Sequence, residues 1–368
     1  AAVATILLTT VEASRRPKWN ELSSSYSFAQ YIVDFRKVYQ SPEEHASREA
    51  IFYKNLDAVL THNKDTTRSY KQGVNYFTDL DESELSAMRG GRFEPSYAGK
   101  YAAAQVRKTK DAVVSLPPSV DYRTRLPAVL TAVKDQGNCG DCWAHAVTEA
   151  IESAYAIATG ELFVLSQQQV TSCTPPLGTC YSCNGSYPSV AYDYVAENGL
   201  TEEWIYPFES YNNTFPACKQ HPYLPTPVKT IVNISGYINI QSNDQQATME
   251  ALVANGPLSI LVDASLWGAY ESGIFDGCSY AGNTTTLDHA VNLVGYGSED
   301  GIDYWIVRNS WAPSWGESGY IRVARPTQPQ CGEILGSGTY GCFNNPTLAT
   351  GCGECSLLYA PQFPIVSV

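Results

Sequence analysis

The sequence predicts an α+β fold in which a helical lobe precedes a lobe of β-strands, with a separate helical segment in front of both. Helical patterns fall between about residues 116 and 226, whereas short β-branched and aromatic runs dominate from residue 228 onward. The length of 368 residues is sufficient for two lobes and a leading segment. The predicted order is therefore leading segment, helical lobe, β lobe.

The first residues favour a secretory leader. Residues 1–13 are mostly small and apolar, and Val11-Glu-Ala resembles a signal-peptide cleavage site. The stretch lacks an initiating Met and a basic start, so we expect a truncated signal peptide over 1–13 and passage through the secretory pathway. No apolar run reaches the roughly 18 residues of a membrane helix, so no membrane partner is expected.

Residues 14–115 are predicted to form a helical domain. Six of their residues follow one another at intervals of three or four, which places them on one face of a long helix. They are Glu44, Arg48, Phe52, Asn55, Val59 and Asn63.

In the helical lobe, the strongest helix pattern begins at Cys142. Apolar residues recur at helical spacing over 143–157, and Gly160 is a typical C-terminal stop. Further helical patterns cover 165–172 and 189–198. The β lobe follows, with turns rich in Gly, Asn and Asp between its predicted strands. These strands are 230–234, 236–240, 258–262, 291–296, 304–307 and 320–324. A cleft between two such lobes is a natural binding groove.

Three short motifs place chemically active residue types in both lobes. Gln136 and Cys142 lie in Gln-Gly-Asn-Cys-Gly-Asp-Cys-Trp, His289 in Leu-Asp-His-Ala-Val-Asn, and Asn309 in Val-Arg-Asn-Ser-Trp. A thiol, an imidazole and an amide in this order resemble the papain-like cysteine proteases of cathepsin L type. The resemblance implies a helical left lobe, an antiparallel barrel-like right lobe, and a cysteine endopeptidase acting through an acyl-enzyme. The alternative is three unrelated polar residues.

The chemistry explains these residue types. A thiol reacts as thiolate, and an ordinary Cys, with a pKa of about 8.5, is mostly protonated at neutral pH. The N-terminus of the helix at Cys142 and an imidazolium at His289 would both lower the pKa of the thiol. Asn309 would orient the imidazole, and Gln136 would donate a side-chain N–H to the oxyanion beside the Cys142 backbone N–H. Trp311 resembles the indole that shields the Asn–His bond.

The resemblance extends along the leading segment. The six spaced residues match the helix motif of cathepsin L-type propeptides, with Val59 in place of Ile, and residues 73–79 match a second propeptide motif. Leu-Pro-Pro-Ser-Val-Asp-Tyr-Arg from Leu116 resembles the start of a mature enzyme. We therefore expect a zymogen, with an inhibitory propeptide over 14–115 and a peptidase domain over 116–368.

The resemblance also implies partners. Polypeptide substrates, the chain's own propeptide as an intramolecular inhibitor, and cystatin-type inhibitors are expected to bind a monomer that needs no cofactor and no metal. The alternative function is an inactive homologue that acts as a binding protein, against which the retained Cys142, His289, Asn309 and Gln136 argue. An exopeptidase would need a segment that closes one end of the cleft, and the insertion at 331–352 is the obvious extra segment.

Eleven cysteines in a secretory chain indicate disulfides and one thiol left over, the proposed nucleophile. By resemblance, Cys139 pairs with Cys183 and Cys173 with Cys218. Cys278 reaches into the C-terminal segment, where Cys355 is favoured for its distance to the predicted closing strand. The open alternatives for Cys278 are Cys331, Cys342 and Cys352. Cys180 and segment 331–352 suggest two additional bridges, and a zinc site at Cys-Gly-Glu-Cys from Cys352 is an alternative without a nearby His.

Four sequons for N-glycosylation occur, at Asn184, Asn212, Asn233 and Asn283. We expect glycans at the last three. Asn184 lies in a stretch that resembles the strand binding substrate backbone, where a glycan would obstruct the cleft.

The net charge of −13 is unevenly distributed. Residues 1–115 carry 16 Lys and Arg against 14 Asp and Glu, whereas residues 116–368 carry 8 against 23. Because carboxylates protonate near pH 4, we hypothesise that acid weakens the attraction and releases the propeptide in a lysosome-like, vacuole-like or extracellular digestive compartment. The alternative is that acidity serves only solubility. The acidic surface argues against a nucleic-acid partner.

Substrate-binding residues are carried over from the resemblance. They are Gly185, Ser186, Tyr187, Pro188, Leu261, Leu287, Asp288, Ala290, Trp311 and Ala360. The six at the second subsite are apolar or aromatic: Tyr187, Pro188, Leu261, Leu287, Ala290 and Ala360. We predict a preference for large apolar or aromatic side chains at P2, two residues before the cut, with Arg disfavoured.

Four residues depart from the family pattern. Asp141 stands where Ser is typical, so its charge would raise the pKa of the thiol or strengthen an imidazolium. Ser186 and Ala312 each replace Gly. His145 replaces an apolar residue three positions after Cys142, and an alternative hypothesis makes it the base. Because it lies on the same helix and points back along it, a buried helix histidine is expected instead.

Overall fold

The helices lie mainly in the first half of the chain and the strands in the second, as predicted. The computed structural model describes residues 16–93, 97–103, 116–219, 229–278, 285–335, 342 and 348–367. Its helices are α1 Phe28–Phe35, α2 Pro42–Lys64, α3 Glu82–Met88, α4 Cys142–Thr159, α5 Gln167–Cys173, α6 Pro188–Asn198 and α7 Gln245–Asn255. Its strands are β1 Tyr70–Gln72, β2 Ala102–Ala103, β3 Val120–Asp121, β4 Asn233–Asn239, β5 Leu258–Val262, β6 Tyr270–Phe275, β7 His289–Glu299, β8 Ile302–Arg308, β9 Tyr320–Ala324, β10 Cys331–Leu335, β11 Leu348–Cys352 and β12 Gln362–Ser367. The predicted leader, 1–13, lies outside the described residues.

The leading segment folds around α2. Ser41 caps this helix by accepting a hydrogen bond from the Glu44 backbone N–H, and Pro42 follows at its first position. One face of α2 buries Phe52 and Val59. The polar residues of the predicted face hold the chain that follows. Arg48 pairs with Glu84 of α3, and the amides of Asn55 and Asn63 donate to backbone carbonyls of residues 72–80.

The helical lobe is built on α4, which is almost wholly buried and packs against β7, β12 and α6. Gly160 ends α4 in the left-handed region at φ 81°, as the sequence predicts. The patterns at 165–172 and 189–198 correspond to α5 and α6. The β lobe therefore rests on a helix whose N-terminus faces the cleft.

One ten-stranded sheet runs in the order β1-β6-β9-β8-β7-β5-β12-β4-β2 with β3 paired to β7. The predicted strands 230–234 and 236–240 form the single strand β4, with Gly236 inside it. The leading segment supplies both outermost strands, β1 against β6 and β2 against β4. Since β1 and β2 do not pair, the described sheet stays open instead of closing into a barrel.

Five disulfides join ten of the cysteines, and all eleven lie among the described residues. Two of them are Cys139–Cys183 and Cys173–Cys218, as the resemblance implies. Cys278 bonds to Cys355, the favoured partner. The two additional bridges are Cys180–Cys342 and Cys331–Cys352. No helix within the described ranges is long and apolar enough to cross a membrane.

Candidate active site

The thiol of Cys142 lies at the first residue of α4, on the wall of the cleft. Residues 140 and 141 bring the chain into the helix, and Cys142 is fully buried and is the free cysteine. On the facing lobe, β7 begins at His289, and the backbone N–H of Ala290 donates to Cys142 Sγ at 3.4 Å. The helical and β lobes thus bring the thiol and the imidazole to the same place.

The ring of His289 is held by residues that follow β8. His289 Nε2 lies 2.8 Å from Asn309 Oδ1, and the Trp311 ring stacks on the imidazole with centroids 4.7 Å apart. His289 Nδ1 has no hydrogen-bond partner among the described residues. This leaves one ring nitrogen fixed by the amide and the other available for a proton.

Gln136 is held in the cleft by a residue that the sequence analysis did not identify. Ser310 Oγ donates to Gln136 Oε1 at 2.6 Å, which turns the amide N–H groups toward the cleft. Gln136 Nε2 donates to the carbonyls of Cys139 and Met88, both at 2.7 Å. The predicted oxyanion donor is therefore occupied by a carbonyl of the leading segment.

The leading segment fills the cleft between α3 and Phe93. Its backbone pairs with both walls: Ser186 N donates to Gly90 O at 2.9 Å, Arg92 N to Ser186 O at 3.0 Å, and Gly91 N to Asp288 O at 2.8 Å. The fit leaves no room for side chains. A Cβ on Gly90 would lie 1.6 Å from the Gly140 carbonyl oxygen.

This occupied cleft changes the ionisation expected for the site. Burial raises the pKa of Cys142 to about 12, and burial lowers the pKa of His289 to about 3. The expectation of a lowered thiol pKa is therefore wrong for this closed form, because both groups are removed from water. Here Cys142 and His289 are a neutral thiol and a neutral imidazole.

A buried ion pair links the leading segment to the residue before His289. Arg89 Nε donates to Asp288 Oδ2 at 2.6 Å, with both side chains about 4% exposed, and Arg89 also pairs with Glu82 of α3. Burial raises the pKa of Asp288 to about 7 despite the opposing effect of Arg89. The contact between Arg89 and Asp288 was not predicted from the sequence.

Residues of the predicted second subsite lie together in a buried apolar cluster. Tyr187, Leu261, Leu287 and Ala290 belong to one buried cluster that also holds Phe93 of the leading segment. Phe93 is 4% exposed and meets the edge of Tyr359, with ring centroids 4.7 Å apart. Pro188 opens α6 and is buried, and Ala360 packs half-buried against the same cluster. Trp311 does not belong to this cluster, since it covers His289.

The remaining predicted sites are the zinc alternative and the glycosylation sequons. The thiols of Cys352 and Cys355 are both in disulfides, which removes the zinc alternative. Asn212 and Asn233 are exposed, and Asn283 lies outside the described residues. Asn184 is exposed as well, but its carbonyl accepts a hydrogen bond from Arg92 in the cleft.

A thiol at a helix N-terminus, faced by a His–Asn pair across a cleft that the chain's own leading segment fills, defines a cysteine protease in precursor form. Residues 116–339 match the papain family cysteine protease model, and residues 28–85 match the cathepsin propeptide inhibitor domain (I29). The chain belongs to the papain family of cysteine proteases and carries that family's propeptide inhibitor domain.

Similar proteins come from plants and animals. The chain is 34% identical to fruit bromelain of Ananas comosus over 341 residues, covering 92% of this chain and 85% of the relative. It is 36% identical to digestive cysteine proteinase 1 of Homarus americanus, and the match covers 90% of this chain and 96% of the relative. Among solved structures, digestive procathepsin L2 proteinase from the Tenebrio molitor larval midgut superposes with a TM-score of 0.74 at 29% identity, covering 92% and 98%.

Proposed function

We propose that the chain is a secreted or vacuolar-type zymogen in which Cys142 is the nucleophile, His289 the base, Asn309 its orienting partner and Gln136 the oxyanion donor. Its proposed division is a leader over 1–13, a propeptide over 14–115 and a peptidase over 116–368. The observation that carries the proposal is the placement of Cys142, His289 and Gln136 around the backbone of residues 88–91.

Release of the propeptide admits water and substrate, which removes the burial that keeps both groups neutral. The thiol proton then passes to His289 Nδ1, and Cys142 Sγ forms a bond to the scissile carbonyl carbon. The negative charge on the carbonyl oxygen is accepted by Gln136 Nε2 and the Cys142 backbone N–H. His289 returns its proton to the leaving amine as the C–N bond breaks, and water hydrolyses the thioester with His289 as base.

Acid release of the propeptide is supported by the contacts of α6. Asp193 accepts the hydroxyl of Tyr97 and the backbone N–H groups of Lys100 and Tyr101, at 2.5, 2.7 and 2.8 Å. Glu197 pairs with Lys100, whose hydrogen bond lowers the pKa of Glu197. The closed form thus favours the ionised Glu197, and this contribution is lost as the pH falls through the lowered pKa.

Asp288 acts in the opposite direction. Since its pKa is raised to about 7, the closed form favours its protonated state. Relative to a solvated Asp288 with its ordinary pKa near 4, the closed form is stabilised as the pH falls from 7 toward 4. We therefore assign the acid trigger to Glu197, which is exposed on α6, rather than to the buried pair of Asp288 with Arg89.

Covalent labelling tests the catalytic assignment. Acid-processed protein treated with a peptidyl epoxide should carry one adduct on Cys142, mapped by mass spectrometry over a pH series, and His289→Ala should lose it. The unprocessed precursor at pH 7 is the matched control and should remain unlabelled. Absence of an adduct after removal of residues up to about 115 would favour the inactive binding homologue.

The processed enzyme is proposed to be monomeric and open to cystatin-type inhibitors.

A further inference from the structure

Three ionisable residues follow one another every fourth position, from the residue that precedes α4 along the buried face of this helix. Asp141, His145 and Glu149 are 0%, 1% and 3% exposed, and the first of them directly precedes Cys142. A run of charges on the face of a central helix that packs against its own lobe is costly unless the charges compensate one another.

Asp141 is surrounded by few partners. Its Oδ2 accepts the hydroxyl of Thr171 at 2.8 Å, and its Oδ1 lies 3.4 Å from His145 Nδ1. Oδ1 makes no hydrogen bond within the described residues, and the Asp141 side chain does not cap the helix that it begins. Within the described part of the lobe, His145 is therefore the side chain placed to balance the negative charge of Asp141.

His145 is placed to carry that balancing charge. Burial lowers the pKa of His145, but Asp141 and Glu149 outweigh burial and the repulsion from Lys134, so the pKa is raised. Glu149 in turn pairs with Arg308 at 3.1 Å, and the imidazole edge packs on Phe208, with centroids 5.2 Å apart. Asp141, Glu149 and Lys134 are thus the charged groups that act on the His145 ring, and the charge of His145 in turn lowers the pKa of His289.

The Asp141 charge matters because it opposes ionisation of the next residue. A carboxylate beside a thiol disfavours the thiolate, and Asp141 is among the groups that raise the pKa of Cys142. The helix N-terminus favours the thiolate at the same place. An uncompensated Asp141 would cancel that advantage.

We propose that protonated His145 is a positioning residue that acts through Asp141, neutralising this carboxylate so that Cys142 can ionise against His289. The proposal rests on the proposed function and extends it to a pair of residues on the nucleophile helix. The Nδ1 atom of His145 is turned toward Asp141, 3.3 Å from the Asp141 carbonyl oxygen and 3.4 Å from the carboxylate, so this nitrogen is not available as the base.

The test is the pH dependence of Cys142 alkylation by iodoacetamide in processed enzyme. His145→Phe should move the acid limb of the rate profile upward by about one pH unit or more, because an unpaired carboxylate then faces the thiol. Asp141→Ser should not move it upward. The double variant Asp141→Ser/His145→Phe should return to within about 0.3 unit of the parent, since neither charge is left.

His145→Gln is the second single variant, with a polar neutral side chain for the case that His145→Phe does not fold. The same upward shift is expected of it. If the pH profile of Cys142 alkylation is unchanged in both His145→Phe and His145→Gln, while His289→Ala still abolishes labelling, the proposal is overturned. The proposed function is then left intact. Labelling of the parent that does not depend on His289 overturns both.

Discussion

Gly90 and Gly91 allow the propeptide backbone to lie against the walls of the cleft. A Cβ on Gly91 would come within 2.6 Å of the His289 backbone. A Cβ on Gly90 would clash in the same way with the backbone of Gly140. In both cases the obstructing atoms are backbone, which cannot move aside without displacing the catalytic residues. The two glycines therefore set how deeply the inhibitory segment enters.

Gly90→Ala should weaken inhibition of the precursor. The added methyl meets the Gly140 carbonyl, so the segment must withdraw, and we expect labelling of Cys142 at pH 7 to rise by at least about tenfold. The control is Gly268→Ala, where the nearest atom is the Leu85 methyl at an ordinary 3.6 Å. Equal labelling of Gly90→Ala and the parent precursor would contradict this role for Gly90.

The proposed catalytic residues could be predicted from the sequence because each of them lies in a local motif. Ser310, which holds Gln136, follows Asn309 directly but shows no sign of its partner 174 positions away. Nothing in the sequence around Arg89 predicts its ion pair with Asp288, which forms because α3 ends beside that residue. Such contacts depend on two distant segments meeting, and periodicity does not report them.

At the scale of elements, β5, β7 and the start of α6 supply residues that are proposed to form the second subsite. These elements place Leu261, Ala290 and Tyr187 in one buried cluster, and Phe93 occupies it in the precursor. An aromatic propeptide side chain in this cluster supports the P2 preference proposed from the sequence. None of the six residues proposed for this subsite carries a charge.

Processed enzyme should cleave a Phe-Arg reporter peptide at least about tenfold more efficiently than an Arg-Arg reporter, measured as kcat/KM. The reason is that an Arg at P2 would be buried without an opposite charge. A Leu-Arg reporter is the control for apolar character without a ring and should resemble Phe-Arg. Comparable values for Phe-Arg and Arg-Arg would refute the preference.

The prediction of elements succeeded for the helix that carries Cys142 and for two strands of the β lobe, but it missed α7, β6, β10 and β11. The pattern over 143–157 corresponds to α4, and the strands at 258–262 and 320–324 have the predicted bounds. The short strands β1 and β2 were not predicted, because two or three residues carry no period. They are extended only because β6 and β4 offer them partners.

Over the whole molecule, the charge difference between propeptide and peptidase takes the form of individual contacts, several of them at α6. Carboxylates of the peptidase accept donors of the propeptide at Asp193 and Glu197, and the Trp19 backbone N–H donates to Glu271. Charge counts predicted the sign of this attraction, but the positions depend on where residues 97–101 cross the surface.

Glu197→Gln should open the closed form at pH 7 and reduce its response to acid, because the ionised partner of Lys100 is lost. Hydrogen exchange of residues 97–103, corrected for its intrinsic pH dependence, measures this opening in the inactive Cys142→Ser precursor. Glu250→Gln is the control, since Glu250 bonds only Gln246 among the described residues. The acid trigger is wrong if the precursor with native Cys142 is processed equally fast at pH 7 and pH 4.5.

Cutting the propeptide away removes β1 and β2, which are the two outer strands of the sheet. The strands β6 and β4 then present unpaired N–H and C=O groups along edges that were covered in the precursor. Such edges are templates for strands of other chains, so concentrated processed enzyme is exposed to edge-to-edge association in a way that its precursor is not. Activation thus exchanges a protected storage form for one whose colloidal stability depends on its strong negative charge.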